Sequence, residues 1–239
     1  MIVYDTLIKQ TLDVLKSYEL KELKVDPNTK WNLLKVNEFL MGKEVAFELG
    51  DRFKPSVVYG LPTSNSQILN CDKIFLLGKD LNEIKENTNF SRITIFNIDD
   101  IPDANKAYIM VKRLDYERYK MIPEGYMCLS SSFENKENIR VSKKAIKNGL
   151  NFEKLGNLYI NHYKTIPGVN NVAVIFIVGD FDKINELVEL SKKTDEVTNA
   201  FDHILKNLIL DCDVCPLKKI CEDVEELRKL HFEQVKKSS

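Results

Sequence analysis

Apolar residues recur near helical spacing at Ile2, Leu7, Ile8, Leu12, Leu15 and Leu20, which predicts an amphipathic helix over residues 2–20. A turn comes next at Val25-Asp26-Pro27-Asn28. Beyond it, the short apolar runs Val45–Leu49, Ser56–Tyr59, Lys73–Leu77, Arg92–Asn97 and Ala107–Lys112 read as strands separated by turns rich in Pro, Gly, Asn and Asp. In the second half Ser142 reads as the N-cap of a short helix closing at Gly149, and a longer helix runs from Glu153 to Thr165 before Pro167-Gly168. Val172–Val178 is almost wholly apolar and β-branched, the pattern of a strand buried on both faces. Helical periods then occupy Asp182–Lys193, Glu196–Ile209 and Glu222–Lys236. Strands followed mainly by helices predict an α+β (mixed α/β) fold: a mostly antiparallel or mixed sheet flanked by helices, with a helical C-terminal region. Residues 1–205 are expected to form the main domain and 206–239 a cysteine-containing helical segment.

Charge and composition narrow the function classes. Lys+Arg number 35 against 36 Asp+Glu, so no broadly basic nucleic-acid-binding surface is indicated. No apolar run approaches the roughly 20 residues that span a bilayer, and the opening residues turn polar too early for a signal peptide. These features predict a cytoplasmic protein without membrane or nucleic-acid partners. The nine glycines include no G-x-G arrangement, which removes the dinucleotide fingerprint and the P-loop, because both need glycine where backbone approaches phosphate. G-x-S-x-G is absent, and His162, His203 and His231 sit in no local catalytic signature. His162 shares a helical face with Leu155, Leu158, Tyr159 and Tyr163, as expected of a packed, hydrogen-bonded histidine. Asp99-Asp100 and Glu225-Glu226 are adjacent in sequence and read as solvated charge.

The five cysteines are Cys71, Cys128, Cys212, Cys215 and Cys221, an odd number that argues against a secreted disulfide framework. Cys212-x2-Cys215 places two thiolates on one tight turn, and Cys221 can complete one face of a metal site. Soft thiolates suit an iron–sulfur cluster or zinc, and Pro216 after Cys215 matches the Cys-Pro step of ferredoxin-type sites. His231 is a poor fourth ligand: across a helix it lies roughly 14 Å from Cys221. Cys71, Cys128, a carboxylate, solvent or a substrate could complete the set, and three ordinary cysteines without metal are the alternative.

The segment Ile139-Arg140-Val141-Ser142-Lys143-Lys144-Ala145 with Gly149 and Phe152, preceded by Glu48-Leu49-Gly50, resembles the middle domain of acetyl-CoA synthase, the β subunit of the CO dehydrogenase/acetyl-CoA synthase system. The order of the later features also agrees: a helix around Leu158, the Val172–Val178 strand and a cluster opening Cys212-x2-Cys215. The resemblance covers residues 30–221. It implies a four-iron four-sulfur cluster on Cys212, Cys215 and Cys221, and coenzyme A contacts at Arg140 and Lys143. The family's tryptophans near this segment are absent, Trp31 being distant in sequence, and a solvated basic turn is the other reading of Arg140, Lys143 and Lys144. No Cys-Gly-Cys of the kind that holds nickel occurs in these residues, and the chain is expected to lack the family's first domain. The expectation is therefore an accessory or binding protein of anaerobic one-carbon metabolism, partnered with CO dehydrogenase/acetyl-CoA synthase or corrinoid proteins and not making acetyl-CoA alone. The alternatives are a subunit supplying its domain in trans to such a complex, and a metal-free interaction module.

Overall fold

A computed structural model describes residues 3–33, 39–51, 53–132, 135–206 and 215–238. Five strands form a mixed sheet: β1 (Lys21–Leu23), β3 (Ser56–Thr63), β4 (Lys73–Gly78), β5 (Phe90–Ile98) and β8 (Val169–Val178). Their order is β1-β4-β8-β5-β3, with β4/β8 and β5/β3 parallel and β1/β4 and β5/β8 antiparallel. A second, antiparallel sheet has the order β2-β7-β6, from β2 (Val45–Leu49), β6 (Tyr126–Ser132) and β7 (Lys136–Ser142). The fold is α+β with a helical C-terminal region. Among the described residues no helix is long and apolar enough to cross a membrane.

Helix α4 (Phe152–Tyr163) covers one face of the large sheet. There Phe176 of β8 meets Phe152 at 4.7 Å and Phe90 at 6.5 Å between ring centroids, the centre of an aromatic core. Side chains alternate along a strand, so Tyr59, Leu61 and Thr63 of β3 point to the opposite face. Helix α1 (Asp5–Leu15) lies there, with Thr11 bonded to the Tyr59 hydroxyl and Asp5 accepting from Thr63. Helix α5 (Ile184–Leu205) packs on α1 and on the edge strand β3, and α2 (Ala104–Glu117) packs on both α5 and β3. The C-terminal helices α6 (Lys218–Asp223) and α7 (Glu225–Ser238) pack against α5, burying Ile220, Val224 and Leu227.

Two expectations are corrected. Ala107–Lys112 is not a strand but the middle of α2: Asp103 caps it by accepting from the Lys106 backbone N–H, and Ala107, Val111 and Leu114 recur at helical spacing on its buried side. The helices expected at Asp182–Lys193 and Glu196–Ile209 are one continuous α5 as far as Leu205, because Leu187, Leu190, Thr194, Val197, Phe201 and Ile204 carry a single buried face across the expected break; residues 207–209 lie outside the described residues. The Ser142 cap is present, accepting from the backbone N–H groups of Lys144 and Ala145 ahead of the five-residue α3 (Lys143–Lys147). Gly149 closes that turn at φ +85°, a conformation that suits glycine.

Candidate functional site

A cavity of about 460 Å³ opens beside the edge strand β3, between the α4-covered sheet face, α2 and α5. Its floor is set by register. Val58, Gly60 and Pro62 of β3 stand beside Arg92, Thr94 and Phe96 of β5 in three successive parallel pairs on one face. The middle pair, Gly60 and Thr94, carries little side-chain volume and leaves a hollow between larger neighbours. A Cβ on Gly60 would come 2.9 Å from the Phe96 ring, so the hollow also requires glycine at this position. The walls are Val111, Leu114 and Asp115 of α2 with Arg118 just past its end, and Thr194, Asp195, Thr198 and Asn199 of α5, with Tyr163 and Asn135 at the margins.

Arg92 is the unusual residue of this site. Its side chain is only 1% exposed, in a strand buried along its whole length, and it reaches across to β7, where Nη2 donates to Glu137 Oε1 at 2.7 Å. The Tyr159 ring lies 4.3 Å from the guanidinium carbon, a cation–π contact that stabilises a charge withdrawn from water. Burial opposes that charge, but the Glu137 carboxylate and the surrounding tyrosines hold the guanidinium pKa well above its usual value. Burial pushes the Tyr163 hydroxyl up to about 12, against the opposing pull of the Arg92 charge. Arg92 Nε is buried and has no hydrogen-bond partner among the described residues.

Arg118, just past α2, has a second buried Nε without such a partner; Asp115 Oδ1 lies 3.3 Å away but outside hydrogen-bond geometry. Its Nη1 donates to the Val58 carbonyl at 3.4 Å and its Nη2 to the Tyr119 hydroxyl at 2.5 Å. Across the cavity Asp195 accepts a 2.8 Å bond from Asn135 Nδ2, and burial raises its carboxyl pKa. The arrangement therefore sets guanidinium groups whose remaining bonds go largely to neutral acceptors on one side and, on the other, a carboxylate whose hydrogen bond among the described residues comes from a neutral amide. Sequence reading missed all four residues, since Arg92, Arg118, Asn135 and Asp195 lie on separate elements with no shared spacing. The available signal was Arg92 itself, a charge set among Phe90, Ile93, Ile95, Phe96 and Ile98.

The residues singled out in the sequence lie elsewhere. Arg140 sits on β7 opposite Glu48 of β2 and donates from Nε to Glu48 Oε1 at 2.8 Å and from Nη1 to the Leu40 carbonyl at 3.4 Å. Lys143 Nζ donates to the Lys43 carbonyl at 3.1 Å. Trp31, distant in sequence, comes close in space: with Phe39, Lys143 and Lys144 it lines a cavity of about 530 Å³, its Nε1 bonded to the Glu124 carbonyl at 2.8 Å. Cys215 and Cys221 are half-buried on either side of the start of α6, and Cys212 lies outside the described residues. Among the described residues no group of three or more His, Cys, Asp or Glu side chains is placed to hold a metal ion. His162 is hydrogen-bonded as expected, its Nε2 lying 3.2 Å from Glu117 Oε2. No protein-family model matches the chain, and no curated protein matches it either.

Proposed function

We propose that the chain is a small-molecule-binding protein whose β3/α2/α5 cavity holds a ligand through an anionic group. The observation that carries this reading is Arg92, buried and charged at the cavity floor, with Glu137 matching only one edge of its guanidinium. A planar guanidinium binds carboxylate or phosphate through paired donors, and such charge-assisted bonds are stronger when water is excluded. Arg118 supplies a second donor set on the adjoining wall. Calorimetric titration with a panel of small carboxylates and inorganic phosphate tests the reading. Replacing Arg118 by Gln is expected to cost about 1.5–3 kcal/mol of binding, a loss of about ten- to a hundredfold in affinity. Unchanged affinity in that variant, or no binding by any member of the panel, overturns the assignment.

A second reading keeps the accessory role in anaerobic one-carbon metabolism, as a partner of CO dehydrogenase/acetyl-CoA synthase or corrinoid proteins. What supports it is the Trp31 cavity, where an aromatic ring and the Lys143 and Lys144 ammonium groups offer the stacking and charge that coenzyme A would use. With Glu48 occupying Arg140, binding is expected to be weak, with a dissociation constant on the order of 0.1–1 mM. Trp31→Ala should weaken it by about 1 kcal/mol or more, and equal binding by wild type and variant would remove coenzyme A from the reading. An iron–sulfur cluster on Cys212, Cys215 and Cys221 belongs to the same proposal. Anaerobically prepared protein should then be brown, with absorption near ~400 nm that Cys215→Ser abolishes. Iron well below one atom per chain after reconstitution would dismiss the cluster, and stoichiometric zinc would make the site structural.

A further inference from the structure

We infer that the occupant of the β3/α2/α5 cavity is an amino carboxylate, its carboxylate on Arg118 and Arg92 and its ammonium on Asp195. This rests on the small-molecule reading above and names the ligand class. The first support is charge balance. Arg92, Lys112 and Arg118 line the cavity together with Asp115 and Asp195, and Glu137 stands behind Arg92. Three cations against three anions make a locally neutral site. Such a site has no net attraction for a dianion such as phosphate, whereas a zwitterion enters it without adding net charge.

The second support is how those charges are already used. Arg92 Nε and Arg118 Nε are buried and lack hydrogen-bond partners among the described residues, and Arg118 Nη2 spends its bond on the neutral Tyr119 hydroxyl, which an incoming carboxylate can displace. Asp195 has the opposite need. Its Oδ2 is held by the neutral amide of Asn135, and among the described residues no Lys or Arg nitrogen forms an ion pair with it. Burial disfavours its ionised form, which an incoming ammonium would restore. A carboxylate without an ion-pair partner is costly in a half-closed cavity, and one molecule bearing a carboxylate and an ammonium would pair Asp195 while giving the two guanidinium groups a charged acceptor in place of neutral ones. Thr94 and Asn199 can hydrogen-bond a polar substituent of the ligand, while Phe96 and Tyr163 bound its apolar part.

The test is titration of the wild-type chain with each of the twenty protein amino acids and γ-aminobutyrate, and, for any that bind, with the matching deaminated acid and decarboxylated amine. At least one amino carboxylate should bind about tenfold or more tightly than either stripped counterpart, because each loses one anchoring charge. Asp195→Asn should remove the advantage over the deaminated acid, and Arg118→Gln should weaken the amino carboxylate and the deaminated acid alike. Deaminated acids, or phosphate, binding as well as the amino carboxylates would overturn the zwitterion assignment and leave the anionic anchor standing. No binding by any compound would overturn both. The wild-type comparison decides the matter even if a variant fails to fold, and circular dichroism of each variant identifies that case.

Discussion

Replacing Glu137 by Ala is expected to lower the unfolding free energy by about 3–5 kcal/mol, because it leaves a buried guanidinium without its counter-charge. The two side chains are 1% and 6% exposed and 2.7 Å apart, so neither can turn to water once its partner is gone. The Tyr159 ring cannot substitute; a cation–π contact contributes about 2 kcal/mol even when desolvated. Arg92→Met should be costly as well, through the carboxylate it strands on β7. The double replacement Arg92→Met with Glu137→Leu should recover most of either loss, since an apolar pair of similar volume avoids the desolvation of two ions. Urea unfolding of the two single variants and the double variant measures the coupling directly. Single losses below about 1 kcal/mol would mean that water reaches the pair. A double variant that is stable yet binds no ligand would separate the two roles of Arg92: the fold tolerates its absence, and the cavity does not.

The elements that were legible in the sequence are those whose own residues satisfy them. Val172–Val178 reads as a doubly covered strand because every position is apolar, and β8 is indeed buried along that run. Ser142 and Gly149 mark their short helix because cap chemistry is local. By contrast, the six residues Ala107–Lys112 are too few to separate alternation from helical period, and the Asp103 cap that decides for α2 lies outside that run. Strands β6 and β7 were missed for a related reason. Their residues are polar at many positions, as in Ser130-Ser131-Ser132 and Lys136-Glu137-Asn138, and they are strands because they pair with each other and with β2. The cavity was invisible on the same ground. Its hollow exists because Gly60 and Thr94 are register partners, and that pairing depends on parallel strands joined through a long excursion of the chain. Cysteine spacing, a local signal, drew attention to the C-terminal segment, whereas the charges facing the cavity are brought together only by tertiary packing.

Phe176→Ala is the substitution expected to damage fold and site together. Phe176 is 0% exposed, and its ring is 4.7 Å from Phe152, 6.3 Å from Tyr159 and 6.5 Å from Phe90. Removing a large aromatic ring from such a cluster costs about 3–5 kcal/mol, part from lost transfer energy and part from the cavity that rigid neighbours cannot close. Its register partner on β5 is Arg92, and Tyr159 touches both. The loss should therefore reach the ligand site, because Tyr159 without Phe176 behind it is free to leave the guanidinium it covers. Phe176→Leu, which refills much of the volume, should cost clearly less in both respects. Urea unfolding and ligand titration on the same two variants give paired measurements. A stability loss in Phe176→Ala with ligand affinity unchanged would show that Glu137 alone holds Arg92 in place. A loss of both, recovered together by leucine, would show that the aromatic core sets the position of the charge on the cavity floor.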